Sequence, residues 1–333
     1  MTGHAFESAD ITGFYDARYA NDAYGLAAVS YKESNLIQGL IKESQHIRSM
    51  MAVDERRIIL IDYGCGDGRL NTVYEKAALF LEQEGVFLQV FAIDPSRAGL
   101  DVYEKRLKDN SYDIMSDNVI AVGQGEIHFR RSNLIVTLLA GDQQLLMILT
   151  LLIRKADVLV AAAVLCHLLG SDRRAALLLG FRSAAFSLFM SLPTKGDFSS
   201  VQAEFDNLRE ERDLLNDAIK VRPHLDKHTI ELEARLRAIQ HQLGDAKESG
   251  EIYYRAGWVR NTAEKLPSYR DALIPFYATN TAAMSSVLKD LGYLYVASAS
   301  TPFANHQRWI ASLASNLFPV APLLVDTGPS NKV

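Results

Sequence analysis

Cysteine is scarce in this chain: Cys65 and Cys166 are the two present in 333 residues. They lie far apart and lack the spacing of metal ligands, so no metal site is expected and the chain reads as reduced and intracellular. An excess of basic residues is also missing. Lys and Arg number 35 against 40 Asp and Glu, a net charge of −5, which argues against a protein that wraps nucleic acid through a broad basic face. Long apolar runs are absent too. The longest apolar region, 134–153, is broken by Gly-Asp-Gln-Gln and is too short on either side to span a bilayer. The opening residues, MTGHAFESADITGFYDARY, have neither the basic start nor the apolar stretch of a signal peptide. The expectation is a cytoplasmic protein with no membrane and no nucleic-acid partner. What is present, 48% hydrophobic and 23% charged residues, is ordinary for a globular protein of one elaborated domain or two.

The pattern along the chain divides it. Residues 1–53 read as an aromatic-rich helical cap ending in a periodic segment, ESNLIQGLIKESQHIRSMM. From residue 57 strands and helices alternate. RIILIDY is a buried strand by its continuous apolar run, and RLNTVYEKAALFLEQEG is a helix stopped at Gly85. VFLQVFAID is the second strand, and Pro95 opens a helix through SRAGLDVYEKRLKDN. NLIVTLLAGD, ADVLVAAAVL and SAAFSLFMSLP follow as the third, fourth and fifth strands, with a helix over SDRRAALLLGF. Such alternation predicts right-handed crossovers and a parallel sheet covered on both faces, with ligands beyond the carboxyl ends of its strands. Residues 54–197 and 250–333 form this core, the latter supplying a helix NTAAMSSVLKDLG, a strand YLYVASAS and a last strand LFPVAPLLVD. Residues 198–249 are charge-rich with Leu and Ile at helical intervals. Pro223 divides them into two antiparallel helices, about 200–220 and 227–247.

The chemistry concentrates in RIILIDYGCGDGRL. A strand that ends in Asp-x-Gly-x-Gly-x-Gly and turns into a helix places free amide N–H groups at the helix start, and glycine permits close approach or a φ that a Cβ forbids. Asp94 closes the next strand, where a carboxylate accepts hydrogen bonds from two ribose hydroxyls. That arrangement fits a nicotinamide dinucleotide as well. Two details favour a different nucleoside: the spacing is G-x-G-x-G, and Asp62 precedes the first glycine by two positions. A carboxylate there repels a pyrophosphate and suits a ligand carrying an ammonium group.

LIDYGCGDGR resembles the first motif of class I S-adenosylmethionine-dependent methyltransferases, VFAIDPS their second, and LLAGDQQ the Gly-Asp that ends strand three. ADVLVAAAVLCHLLGSDRRAALL resembles the strand-four segment of the small-molecule branch, with Cys166 where that pattern often has another histidine. The resemblance implies an α/β, Rossmann-like, doubly wound and mostly parallel seven-stranded sheet, here with an N-terminal helical cap and an inserted helical hairpin. It implies S-adenosylmethionine as cofactor and S-adenosylhomocysteine as product. Asp62 and the amides of Gly64, Cys65, Gly66 and Gly68 would face the methionine part and ribose. Asp94 would hold the ribose hydroxyls, and Asp142 with Gln143 the adenine. The placement of Asp142 depends on NLIVTLLAGD, and not the first part of the segment 111–132, being the third strand.

Transfer from a sulfonium is an in-line displacement that needs alignment and desolvation. His167, just after strand four, either removes a proton from an acceptor nitrogen or oxygen or packs at the strand end. Tyr15, Tyr19 and Tyr24 are candidates for a cap over the cofactor, with Tyr254 as a wall from the far side. The hairpin stripe, Leu208, Leu215, Ile219, Leu232, Leu236, Ile239 and Leu243, serves as the seam between its own helices, as a homodimer contact, or as part of a lid. The leading expectation is methyl transfer to a small-molecule acceptor. The alternatives are a macromolecular acceptor recognised through the hairpin, a non-catalytic scaffold subunit, and a dinucleotide-dependent oxidoreductase, the last disfavoured by the glycine spacing and Asp62.

Overall fold

The computed structural model describes residues 8–20, 31–50, 56–115, 126–141, 156–162, 164, 180–181, 185–193, 237, 281–300 and 306–313. In chain order these form helices α1 (Ser8–Ala20) and α2 (Tyr31–Met50), then β1 (Arg57–Tyr63), α3 (Asn71–Glu82), β2 (Phe87–Asp94) and α4 (Arg97–Asp109). Next come β3 (Asp113–Met115), β4 (Ile127–Arg131), β5 (Leu134–Ala140), β6 (Ala156–Ala162) and β7 (Ala185–Pro193). The order closes with α5 (Thr281–Asp290), β8 (Tyr295–Ser300) and β9 (His306–Ser312).

The strands make one sheet in the order β3-β4-β5-β2-β1-β6-β7-β9-β8. Its centre is parallel: β1 pairs with β2 and β6, β2 with β5, and β6 with β7. The order reverses direction at β1, between β2 and β6, which is the switch point of a doubly wound sheet. Antiparallel pairs flank this centre, β3–β4 and β4–β5 on one side and β7–β9 and β9–β8 on the other.

The period-two alternation of β1 divides the core into two layers. Ile59, Ile61 and Tyr63 face a layer that contains Phe181 and, from α5, Met284 and Leu288. Ile58 and Leu60 face the opposite layer, which holds the apolar sides of α2, α3 and α4. Helix α2 belongs to this second layer: Leu36, Ile37, Leu40 and Ile41 are buried at helical spacing. Burial of side chains of this size contributes about 1.5–3 kcal/mol each. Its last turn is clasped to the sheet, with Arg48 Nε 2.6 Å from Asp157 Oδ1 while Asp157 Oδ2 accepts from Ile59 N at 2.8 Å.

Three expectations change. The sheet has nine strands among the described residues, against the seven expected. The two additional strands are the hairpin β3–β4, built from the long connection after α4, and β5 is accordingly the third parallel strand. The described strand that follows β8 is β9, HQRWIAS, a segment to which no strand was assigned. Its Gln and Arg interrupt the apolar run that marks a buried strand, yet Arg308 is fully buried, 3.6 Å from Glu33 of α2. The stretch 317–326, the expected last strand, and the hairpin 198–249 apart from Arg237 lie outside the described residues.

Candidate functional site

After β1 the chain turns through residues 64–70 at the carboxyl edge of the parallel strands. Gly64, Gly66 and Gly68 hold φ of 75°, 54° and 76°, a region that costs a residue with a Cβ about 1–2 kcal/mol. Each also faces a side chain of this protein. A Cβ on Gly64 would lie 2.6 Å from Val164 Cγ2, one on Gly66 would strike the Tyr19 hydroxyl, and one on Gly68 the Tyr103 ring.

Four amides of the loop are bonded within the protein. Gly64 N and Cys65 N both donate to Ile93 O, at 2.8 and 3.2 Å, and Gly68 N donates to Cys65 O at 3.1 Å. Gly66 N donates to Asp94 Oδ2 at 2.8 Å. Three of these amides tie the loop to the end of β2, and Gly68 N closes a turn within the loop. The loop also presents a ligand with its shape and its surrounding carboxylates.

Those carboxylates are several. Asp94 sits at the end of β2 and also accepts from Ser96 N through Oδ1 at 2.8 Å. Each of its oxygens thus has one partner and a second lone pair. Burial pushes Asp94 up to about 6, with the Ser96 and Gly66 amides holding it down and Asp16 and Asp67 pushing it further. Asp62, on the face of β1 that meets α3, is 1% exposed. Burial pushes it up to about 7, the Tyr74 hydroxyl and Arg69 oppose this, and Asp94 adds to it. Asp62 Oδ2 and the Tyr74 hydroxyl each lack a hydrogen-bond partner, so the two influence each other without reaching bonding geometry. Burial also pushes the Cys65 thiol well up, with Asp94 and Asp62 adding to the effect. It is a packed, protonated side chain and not a nucleophile. Asp67 is paired with Arg106 at 3.2 Å.

Helix α1 forms the roof. Tyr19 lies against both Gly66 and Gly99, where a Cβ would be 2.9 Å from its Cε2, and it stacks on Tyr15 with centroids 6.1 Å apart. Asp16 fastens the helix to the start of α4: its Oδ1 accepts from Ser96 Oγ at 2.7 Å and from Ala98 N at 3.1 Å. Ser96 caps α4 in turn, accepting from Gly99 N. A floor of polar groups braces the other side. Tyr103 donates to Asn71 Oδ1 at 3.0 Å, Asn71 Nδ2 donates to the Tyr112 hydroxyl at 3.1 Å, and that hydroxyl donates to Glu75 at 2.8 Å.

The structure thus brings together Asp62, Gly64, Cys65, Gly66, Gly68, Asp94, Tyr15 and Tyr19. Asp142, Gln143, His167, Tyr24 and Tyr254 lie outside the described residues, although Gly141 N donates to Asp94 O at 3.1 Å and brings the end of β5 to the same edge. Sequence reasoning did not single out Asp16, Ser96, Asn71 or Tyr103. For Ser96 a signal existed, a serine after Pro95 at the start of a helical pattern. For Asp16 none did, because its partners lie on another element far along the chain. Among the described residues no cluster of three or more His, Cys, Asp or Glu is arranged to hold a metal, and no helix is long and apolar enough to cross a membrane.

No protein-family model matches the chain, and no curated protein matches it. Solved structures are similar at a low level. Magnesium protoporphyrin IX methyltransferase from Synechocystis PCC 6803, with bound S-adenosylhomocysteine, is 14% identical at a TM-score of 0.40, over 92% of this chain and 100% of that one. An S-adenosylmethionine-dependent methyltransferase from Anabaena variabilis ATCC 29413 is 10% identical at 0.42, over 93% and 97%. An O-methyltransferase family 2 protein from Planctomyces limnophilus DSM 3776, in complex with apigenin, is 12% identical at 0.42, over 93% and 63%. Likeness at these values carries neither family membership nor activity over to this chain.

Proposed function

We propose that the chain is a class I S-adenosylmethionine-dependent methyltransferase that methylates a nitrogen or oxygen of a small molecule. One observation carries this reading: the buried carboxylates Asp62, Asp67 and Asp94 surround a tight glycine loop, four of whose amides are bonded within the protein. A pyrophosphate is repelled by the ionised Asp94, whereas a cationic nucleoside is attracted by Asp94 and by Asp62 once that group ionises. The residues fit such a ligand, with an unpartnered buried oxygen on Asp62 and a spare lone pair on each oxygen of Asp94.

When bound, the cofactor supplies a methyl group on a sulfonium sulfur, already activated toward displacement. Asp94 accepts from the ribose hydroxyls while remaining tied to Gly66 and Ser96, which fixes its orientation before the ligand arrives. Asp62 and the other acids balance the positive charge in a setting where interactions between charges are strong. Tyr15 and Tyr19, carried on α1, exclude water above the loop. Asp142 with Gln143 would address the adenine, His167 would take a proton from the acceptor, and Tyr24 and Tyr254 would line the acceptor side. In this reading residues 1–53 cap a core of 54–197 and 250–333, and the hairpin 198–249 serves as a lid or as the contact of a cytoplasmic homodimer.

Calorimetric titration with S-adenosylmethionine and, separately, with NAD tests the proposal. Saturable binding of the first with none of the second is expected. Binding of NAD alone, or of neither, would overturn it.

A further inference from the structure

Beside the glycine site lie the polar floor beneath it, the buried pairs Arg48–Asp157 and Glu33–Arg308, and the exposed apolar residues Leu79, Ile114 and Leu294. The floor and the buried pairs are structural, and nothing in the structure shows what would cover the exposed residues. The surroundings of Asp62 point beyond the charge balance already assigned to it.

Asp62 is sealed between β1, the glycine loop and α3. The groups acting on it come from each of those elements and from their neighbours: Tyr74 from α3, Arg69 and Cys65 from the loop, Asp94 from β2 and Tyr103 from α4. The flanking β6 residues Val158 and Val160 and the α2 residues Leu36, Ile37, Leu40 and Ile41 are apolar; α2 also buries Glu43 and Ser44, which are not among the groups acting on Asp62. Two of the neighbours are neutral hydroxyls, one is a protonated thiol and one is a second carboxylate. Arg69 is the cation in this set, and it does not offset the burial. An ionised carboxylate in such surroundings, with one oxygen left without a donor, is held at high cost.

We propose that Asp62, sealed beneath the glycine loop with Oδ2 unpartnered, is the residue through which the site reads ligand charge, giving up a proton to solvent when a cationic ligand docks over the loop. The balance is simple: one O–H bond on Asp62 breaks, the proton leaves to buffer, and the carboxylate that remains faces the ligand's positive charge. This rests on the reading of the site as one for S-adenosylmethionine. It adds that affinity for the positively charged sulfonium donor rises with pH, while affinity for the thioether product, one charge lower, responds less. The site then prefers fresh donor to spent product by a device that is absent where the corresponding acid is already ionised.

With Asp62 near 7 in the free protein, about three-quarters of the molecules carry the proton at pH 6.5, and Asp94 near 6 contributes about a quarter. At that pH the ligand's own α-amino group, with an ordinary value of about 7.7–8.0, stays protonated and does not contribute. If the cation lowers Asp62 to about 5, S-adenosylmethionine affinity rises about fivefold between pH 6 and 7.

The experiment is calorimetric titration of the full chain at pH 6.5 in buffers of low and high ionisation enthalpy, which counts the protons released on binding. S-adenosylmethionine is expected to release about 0.7 proton or more, S-adenosylhomocysteine clearly less, and Asp62→Asn loaded with S-adenosylmethionine no more than about 0.3. Binding of both ligands with no proton release would overturn the proposal and leave the cofactor reading intact. Release undiminished in Asp62→Asn would also overturn it, by assigning the proton to another group. Failure of either ligand to bind would overturn the cofactor reading and this inference with it. The wild-type count stands by itself should Asp62→Asn not fold.

Discussion

Gly68→Ala is the sharpest perturbation of the glycine loop. At φ 76° the alanine would sit in the left-handed region, and its Cβ would meet three carbons of the Tyr103 ring. The first effect costs about 1–2 kcal/mol. The second is resolved only by moving a fully buried ring, an overpacking cost of about 1–3 kcal/mol. Displacing the ring also breaks the hydrogen bond from the Tyr103 hydroxyl to Asn71, about 1 kcal/mol more. A destabilisation of about 3–6 kcal/mol is expected from these contributions, read as a fall in the urea midpoint at unchanged m. Tyr103→Leu carries its own cost but removes the ring that the new methyl strikes. In that background Gly68→Ala should cost about 1–2 kcal/mol, the backbone contribution alone. The double-mutant cycle therefore predicts a coupling of about 2 kcal/mol or more between two residues with no polar contact. Additive effects would refute the argument, because the glycine would then answer to backbone conformation and not to close packing of helix α4.

Asp16→Ala removes acceptors for Ser96 Oγ and Ala98 N, and a loss of about 1–2 kcal/mol is expected together with faster proteolytic cleavage within α1; unchanged cleavage would mean that α1 is held by its tyrosines. Arg48→Ala removes the guanidinium beside the buried Asp157, and a cost of about 3–5 kcal/mol is expected in denaturant titrations. The pH dependence of stability has a definite sign. Asp62 and Asp94 hold protons in the folded state that they release when unfolded above about 4, so their contribution makes stability fall as pH rises from about 4 to 7 and level off above the folded values. Asp62→Asn should flatten the upper part of that fall, and a wild-type curve that rises through the same window would show the acids to be ionised in the folded chain.

How much of this was legible follows from the type of signal. β1, β2 and β5 declare themselves by continuous apolar runs, and Pro95 marks the start of α4. The convergence of Asp62 and Asp94 on the loop follows from their placement at the ends of neighbouring parallel strands. β9 was hidden because its apolar Trp309, Ile310 and Ala311 follow a buried arginine, whose charge is answered by a helix far away in sequence. The edge hairpin β3–β4 was hidden for another reason: short strands at a sheet edge need no apolar run, and Asp113 and Ile114 are exposed. The spent amides were not legible either. Asp-x-Gly-x-Gly-x-Gly announces that the backbone turns tightly, but whether its N–H groups point at a ligand or at Ile93 and Asp94 depends on how β2 ends.

The pairing of Glu33 with Arg308 bears on how the chain comes together in time. α2 is made well before β9, yet one of the side chains it packs against belongs to that strand. Contacts so distant along the chain are closed late and slowly, since the loop entropy is spent before the contact rewards it. Until β9 docks beside β7, Glu33 has no Arg308 to meet, and that end of α2 lacks part of its final setting. A nascent chain is thus kept from completing the setting of α2, the helix that follows the α1 roof, until β9 has been made and has found it.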